Sequence, residues 1–118
     1  MTEVVIPFER LGMHDVEIVG GKNASIGEMI GSLSRLGVKV PGGFATTAAA
    51  YRATLAHEGL DERIRKALAD LDVEDVVKLA EIGAQIRNWI LAAPLPPALE
   101  QAVREGYRRF GANAAVAV

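Results

Sequence analysis

The sequence predicts a helix-rich α/β (α+β) fold, and three observations predict it. Apolar residues recur at helical spacing along most of the chain beyond residue 25. Extended, β-prone runs are few and short, at residues 4–8, 38–44 and 114–118. Half of the 118 residues are hydrophobic but only 5% are aromatic. A core made mainly of Val, Ile, Leu and Ala suits packed helices with a few strands.

The first element is a short strand over 4–8. Pro7 implies an edge position or a strand end, because proline has no N–H for a ladder. A loop through Gly12 follows, and residues 16–19 lead into Gly20-Gly21-Lys22-Asn23. A helix begins there, with a buried face expected at Ile26, Met29, Ile30, Leu33 and Leu36. Gly37 stands where a helix-ending residue with positive φ is wanted. The extended stretch 38–44 is broken by a turn at Pro41-Gly42-Gly43.

Thr46 or Thr47 caps the second helix, which turns Tyr51 and Leu55 inward and ends at Gly59. The third carries Leu60, Ile64, Leu68 and Leu71 in a stripe. Asp72 and Asp75 favour the electropositive start of the fourth. Its inner line is Val76, Ala80, Gly83, Ile86 and Ile90, with Trp89 beside it, and it halts before Pro94. Pro96 and Pro97 open the fifth, where a missing N–H costs nothing. Leu99, Val103, Tyr107 and Phe110 face inward and Gly111 closes it. Residues 114–118 read as a buried strand, and an apolar strand without neighbours invites pairing with another edge. No repeat or low-complexity linker divides the chain, so it reads as one domain or a piece of one, with more chain expected after it.

Composition excludes several classes. The 13 basic and 15 acidic residues leave a net charge of −2. Arg104, Arg108 and Arg109 are the nearest approach to a basic cluster, and cations near a helix end complement its dipole. Nucleic-acid binding is therefore not expected. Without cysteine there is no disulfide or thiolate metal site. No stretch approaches the roughly 20 apolar residues of a membrane span, and residues 1–4 lack a signal peptide's basic start. The expected location is the cytoplasm.

The strongest local feature is Gly20-Gly21-Lys22-Asn23-Ala24-Ser25, just before a helix. Glycines let backbone approach a ligand, a helix start offers unpaired N–H groups, and lysine adds a mobile positive charge. Together these suit a nucleotide phosphate, although a plain turn with an exposed lysine has the same residues. A Walker A loop would need glycine where Val16 stands and Ser or Thr where Asn23 stands. The second feature, Val40-Pro41-Gly42-Gly43-Phe44-Ala45-Thr46-Thr47, is explained by a turn and a helix cap, yet both threonines could face a ligand held by the first loop. His14 and His57 have no metal-ligand spacing or orienting partner, and read as surface residues. Glu28, Glu62, Asp75, Glu81 and Glu105 read as solvated positions; no cluster of acids suggests a magnesium site.

Three stretches stand out together: Leu11-Gly12-Met13-His14-Asp15-Val16 running on to Val19-Gly20-Gly21-Lys22-Asn23-Ala24-Ser25-Ile26-Gly27-Glu28-Met29; then Val40 to Thr47; then Gly83-Ala84-Gln85-Ile86-Arg87-Asn88-Trp89-Ile90. In this order and spacing they resemble the N-terminus of the phosphoenolpyruvate synthase (pyruvate, water dikinase) family over nearly the whole chain. Gly-Gly-Lys and Val-Pro-x-Gly-Phe are shared more widely, with pyruvate phosphate dikinase and rifampicin phosphotransferase. The resemblance implies that residues 1–118 are the first, incomplete part of an ATP-grasp nucleotide-binding domain. It implies a parent enzyme that converts ATP, pyruvate and water to AMP, phosphoenolpyruvate and phosphate through a phosphohistidine, with Mg2+. Lys22 matches the family lysine that contacts ATP phosphates. Gly20, Gly21 and Asn23 would shape its loop, with Gly42, Gly43, Thr46 and Thr47 nearby. The Arg-Ser-Ser-Ala segment that follows the matching strand in the family, the magnesium-binding acids, the phosphorylated histidine and the pyruvate site are absent. The segment is thus expected to be inactive alone, with homo-oligomerisation left open.

Overall fold

The computed structural model describes residues 3–118. It is helix-rich α+β with a small two-stranded sheet. The helices are α1 (Val16–Val19), α2 (Gly21–Ser34), α3 (Ala48–Ala56), α4 (Leu60–Ala69), α5 (Val76–Ala92) and α6 (Pro97–Arg108); the strands are β1 (Val5–Pro7) and β2 (Phe44–Thr46). The chain divides into two compact units, one reaching to Arg52 and resuming over Pro97–Val118, the other Ala53–Pro96. The five expected helices are present as α2 to α6, with the short α1 in addition, and no helix among the described residues is long and apolar enough to cross a membrane.

In the first unit β1 and β2 run antiparallel, with Val5 opposite Thr46, Ile6 opposite Ala45 and Pro7 opposite Phe44. Pro7 closes β1, as expected of a residue with no N–H. Phe8 N–H donates to the Gly43 carbonyl at 2.9 Å and Thr47 N–H to the Val4 carbonyl at 3.0 Å, extending the ladder at both ends. The strand expected over 4–8 loses its last residue to a 3-10 turn, Phe8–Arg10. That turn swings the chain onto α2. Leu11, Val19, Ala24 and Ala45 form the core cluster, with Ile6 and Phe8 packed on it.

The core is made from small residues, and this displaces the expected face of α2. Ala24, Gly27 and Ile30 are its buried positions; Met29 and Leu36 are exposed. A Cβ on Gly27 would lie 2.5 Å from the Leu11 Cβ and 2.6 Å from its carbonyl oxygen. Close approach of two backbones selects the face here, so the larger apolar side chains point elsewhere. α2 ends as Gly37 predicts: Gly37 has φ +77, Val38 N–H reaches the Leu33 carbonyl and Gly37 N–H the Ser34 carbonyl, a Schellman closure.

Thr47, not Thr46, caps α3, its Oγ1 accepting from Ala50 N–H at 3.1 Å. Tyr51 is exposed, whereas Ala50 is buried, because small Ala50 fits the close packing. On α6, Pro97 takes the first position and Leu99 and Gly106 are buried. Gly106 leaves room for the Phe44 ring, which a Cβ would meet at 2.8 Å. Phe44 stacks on Phe110 with centroids 6.0 Å apart, so Phe110 packs on one face while staying partly exposed. Gly111 closes the segment with φ +97. The strand expected at 114–118 is not formed: these residues are unpaired. A strand exists only through a partner, and the two-stranded sheet does not include them. Tyr107 Oη instead donates to the Ala114 carbonyl at 2.6 Å.

In the second unit α4 and α5 pack as a hairpin. Leu60 is buried, while Leu68 is exposed and Leu71 lies beyond the helix end. Asp75 caps α5, accepting from Lys78 N–H at 3.1 Å. No α5 residue is buried outright. Ile82, Gly83, Ile86 and Trp89 are half-buried; Val76, Ala80 and Ile90, expected inward, are exposed. One neighbouring helix covers only part of a helix's circumference. The Arg63 guanidinium lies 4.1 Å from the Trp89 ring centroid, a cation–π contact.

Two predictions follow from packing and charge in the first unit. Gly27→Ala should lower stability by about 1–3 kcal/mol, since Leu11 backbone has to move. Gly31→Ala, whose added Cβ meets nothing within 4 Å, should raise it by about 0.5–1 kcal/mol; chemical denaturation of both variants checks the contrast. Separately, Arg10 donates to Glu3 at 2.8 and 2.6 Å. This hydrogen bonding holds the Glu3 carboxyl below its ordinary range. A depressed carboxylate stabilises the fold above its unfolded pKa and loses that contribution as pH falls through the folded one. A carbon-detected NMR titration should find the Glu3 midpoint low, and Arg10→Gln should return it to the ordinary range.

Candidate functional site

The segment 19–24 is held between two buried anchors, Val19 at 8% exposure and Ala24 at 0%. Gly20 separates α1 from α2 with φ 84 and ψ 162. That region is accessible essentially to glycine alone. Gly20 N–H closes α1 on the Val16 carbonyl at 2.8 Å, and the Gly20 carbonyl accepts from Ala24 N–H at 3.1 Å to open α2. The chain thus stops one helix and starts another within a single residue. The helix starts earlier than expected: Gly21, Lys22 and Asn23 form its first turn rather than a loop before it. Glycine at position 20 supplies the break, so the second glycine is free to be helical.

First-turn amides have no partner inside their own helix. Here no side chain caps them, and the first turn holds no acidic residue. Gly20, Gly21 and Lys22 are exposed, and Asn23 is half-buried. A Cβ on Gly20 or Gly21 would meet nothing within 4 Å, so the approach to these amides is open. Electropositive backbone and an exposed ammonium on one turn attract an anion.

Two acids, one of them Glu28, which the sequence reading left as solvated, fasten the approach to this turn. Asp15 Oδ2 accepts from Gly12 N–H at 3.0 Å and Glu28 Oε2 from Met13 N–H at 3.2 Å. They fasten the 3-10 turn Met13–Asp15 that leads into α1. Neither left a clear signal: Asp15 follows a glycine, which has no side chain to complete a capping box, and Glu28 lies fifteen residues from its partner. Glu28 is therefore engaged with backbone rather than merely solvated. His14 is a surface residue, its side chain 81% exposed with Nε2 3.2 Å from Asp15. His57 is half-buried in the turn His57–Gly59, because the chain folds back there.

The second predicted segment meets the first in the core, where Ala45 joins Val19 and Ala24. Its polar groups are variously placed. Thr47 is buried, and its hydroxyl donates to the Glu3 carbonyl at 2.8 Å while capping α3. Thr46 is exposed on β2. Gly43 is pressed against Phe8, whose ring a Cβ would meet at 2.6 Å. Gly42 and Gly43 line an open cleft of about 340 Å³ with Glu3, Arg10, Phe44 and Arg109, and Lys22 does not line it.

The family described as "Pyruvate phosphate dikinase, AMP/ATP-binding domain" matches residues 16–118. The chain is 60% identical over 110 residues to a phosphoenolpyruvate synthase of Neisseria meningitidis, covering 93% of this chain and 14% of that protein. It is 53% identical to one from Pseudomonas aeruginosa, covering 100% of this chain and 15% of that protein. It is 51% identical to one from Escherichia coli, covering 93% and 14%. The chain thus spans 14–15% of the length of these curated relatives. The match over residues 16–118, with identities of 51–60% to phosphoenolpyruvate synthases along nearly the whole chain, places the chain in the pyruvate phosphate dikinase AMP/ATP-binding domain family.

Proposed function

We propose that residues 1–118 form part of an ATP-grasp nucleotide site in a phosphoenolpyruvate synthase, and that α2's first turn holds the phosphates of ATP. The observation that carries this is the uncapped start of α2, with Lys22 exposed beside it and no acid in the turn. The amides of Gly21 and Lys22 donate to phosphate oxygen and the Lys22 ammonium neutralises charge. Gly20 and Gly21 keep the approach open, while Asn23, Gly42, Gly43, Thr46 and Thr47 shape the surroundings.

The parent enzyme would form AMP, phosphoenolpyruvate and phosphate from ATP, pyruvate and water in the cytoplasm. Positioning and charge neutralisation dominate phosphoryl transfer, and this segment supplies only some of those groups. Among the described residues no group of three or more His, Asp or Glu side chains converges. The residues present do not fit a magnesium centre of their own. A second reading keeps the ATP site and changes the phosphoryl acceptor to phosphate or an antibiotic. The matching family's description, which names a phosphate dikinase, supports that reading, and the identities to synthases favour pyruvate and water.

Calorimetric titration with Mg-ATP tests the proposal. The 118-residue chain should bind weakly, and a polypeptide of the relatives' full length carrying this segment should bind well. Lys22→Ala in the longer form should weaken binding about 10–100-fold, the worth of a charge-assisted contact. Tight binding by the short chain would contradict a partial site, and a long form indifferent to ATP would contradict the nucleotide reading. Assaying AMP formation with pyruvate, phosphate or an antibiotic as acceptor separates the two readings.

A further inference from the structure

Between Val19 and Ala24 the backbone turns through a glycine that no side chain of its own can brace. The core grips both ends of the segment, but the exposed arc of Gly20, Gly21 and Lys22 lies outside it. One side-chain hydrogen bond spans the break among the described residues: Asn23 Nδ2 donates to the Val19 carbonyl at 3.0 Å. Val19 is the last residue of α1 and Asn23 lies in the first turn of α2. The bond therefore links the tail of one helix to the head of the next.

Lys22 contributes charge at this turn, but among the described residues its side chain makes no hydrogen bond that would set the amides' direction. Asn23 contributes direction without charge. Its chemistry suits that role narrowly. The link needs a donor, and an aspartate would turn an oxygen toward the Val19 carbonyl and put negative charge among the amides.

We infer that Asn23 is a positioning residue: by bonding the Val19 carbonyl across Gly20, it sets the direction in which the Gly21 and Lys22 amides meet phosphate. This rests on the reading of α2's first turn as the phosphate-holding element.

The test is a 15N NMR titration of the 118-residue chain with inorganic triphosphate, for wild type, Asn23→Ala, Asn23→Gln and Lys22→Ala. Asn23→Ala should shift the Gly20, Gly21 and Lys22 amide resonances before any ligand is added and leave Leu11 and Ala45 in place. It should weaken triphosphate binding about five- to tenfold, and Asn23→Gln, which keeps the donor, should recover part of both effects. Lys22→Ala should weaken binding while leaving the ligand-free Gly20 amide in place. Unmoved ligand-free amides in Asn23→Ala, or an affinity equal to wild type, overturns the inference. If Asn23→Ala also displaces Leu11 and Ala45, Asn23→Gln decides: failure to recover any affinity counts against the role. Absence of any triphosphate response in wild type, in this chain and in a polypeptide of the relatives' full length alike, overturns the site reading itself, and the ligand-free shifts keep that failure distinct from a failure of the Asn23 bond.

Discussion

The backbone of Gly20 is the constraint from which the site follows. With φ 84 and ψ 162, it ends α1 and begins α2 with no residues between. A conventional loop would leave the amides of α2 to be capped by whichever polar side chain it carried. The abrupt break instead presents them bare, beside Lys22. Open space around Gly20 means the requirement for glycine there is torsional, not steric.

Gly27 imposes the opposite kind of demand. There the torsions are ordinary and space is absent, because Leu11 lies against the helix. The close approach seats α2 on the segment that begins with Phe8, and Asp15 and Glu28 then fasten the entry to α1. Packing of small residues thus places the electropositive turn, and hydrogen bonds hold it. The core reflects this economy of volume: Ala24, Ala45 and Ala50 are among its most buried members, and no large side chain among the described residues is fully buried.

What could be read from sequence was what depends on a residue's own backbone. Pro7 ended a strand, and Gly37 and Gly111 marked helix ends, each with φ positive in the structure; Gly59, expected to end α3, instead closes the turn His57–Gly59 that separates Ala56 from α4. Asp75 and Pro97 opened helices because capping and a missing N–H are local properties. Which face lies inward was less legible, since it depends on a neighbour. Met29 and Tyr51 are larger apolar surfaces than Gly27 and Ala50, yet the smaller pair is buried because it admits closer contact. Strand formation at 114–118 depended wholly on a partner. At the candidate site the glycines and lysine were visible in order, but two adjacent glycines look alike in sequence. Only the torsions show that Gly20 makes the break while Gly21 is already helical.

The most direct measurement compares L-alanine with D-alanine at position 20 in chemically assembled chains, by thermal and chemical denaturation. A D-residue accepts positive φ with an extended ψ, whereas an L-residue does not. The account predicts that the L-alanine chain loses about 1–3 kcal/mol while the D-alanine chain stays near or above wild type, since it also narrows the unfolded ensemble. Equal stability of the two chains would contradict a glycine-only break as the basis of the site.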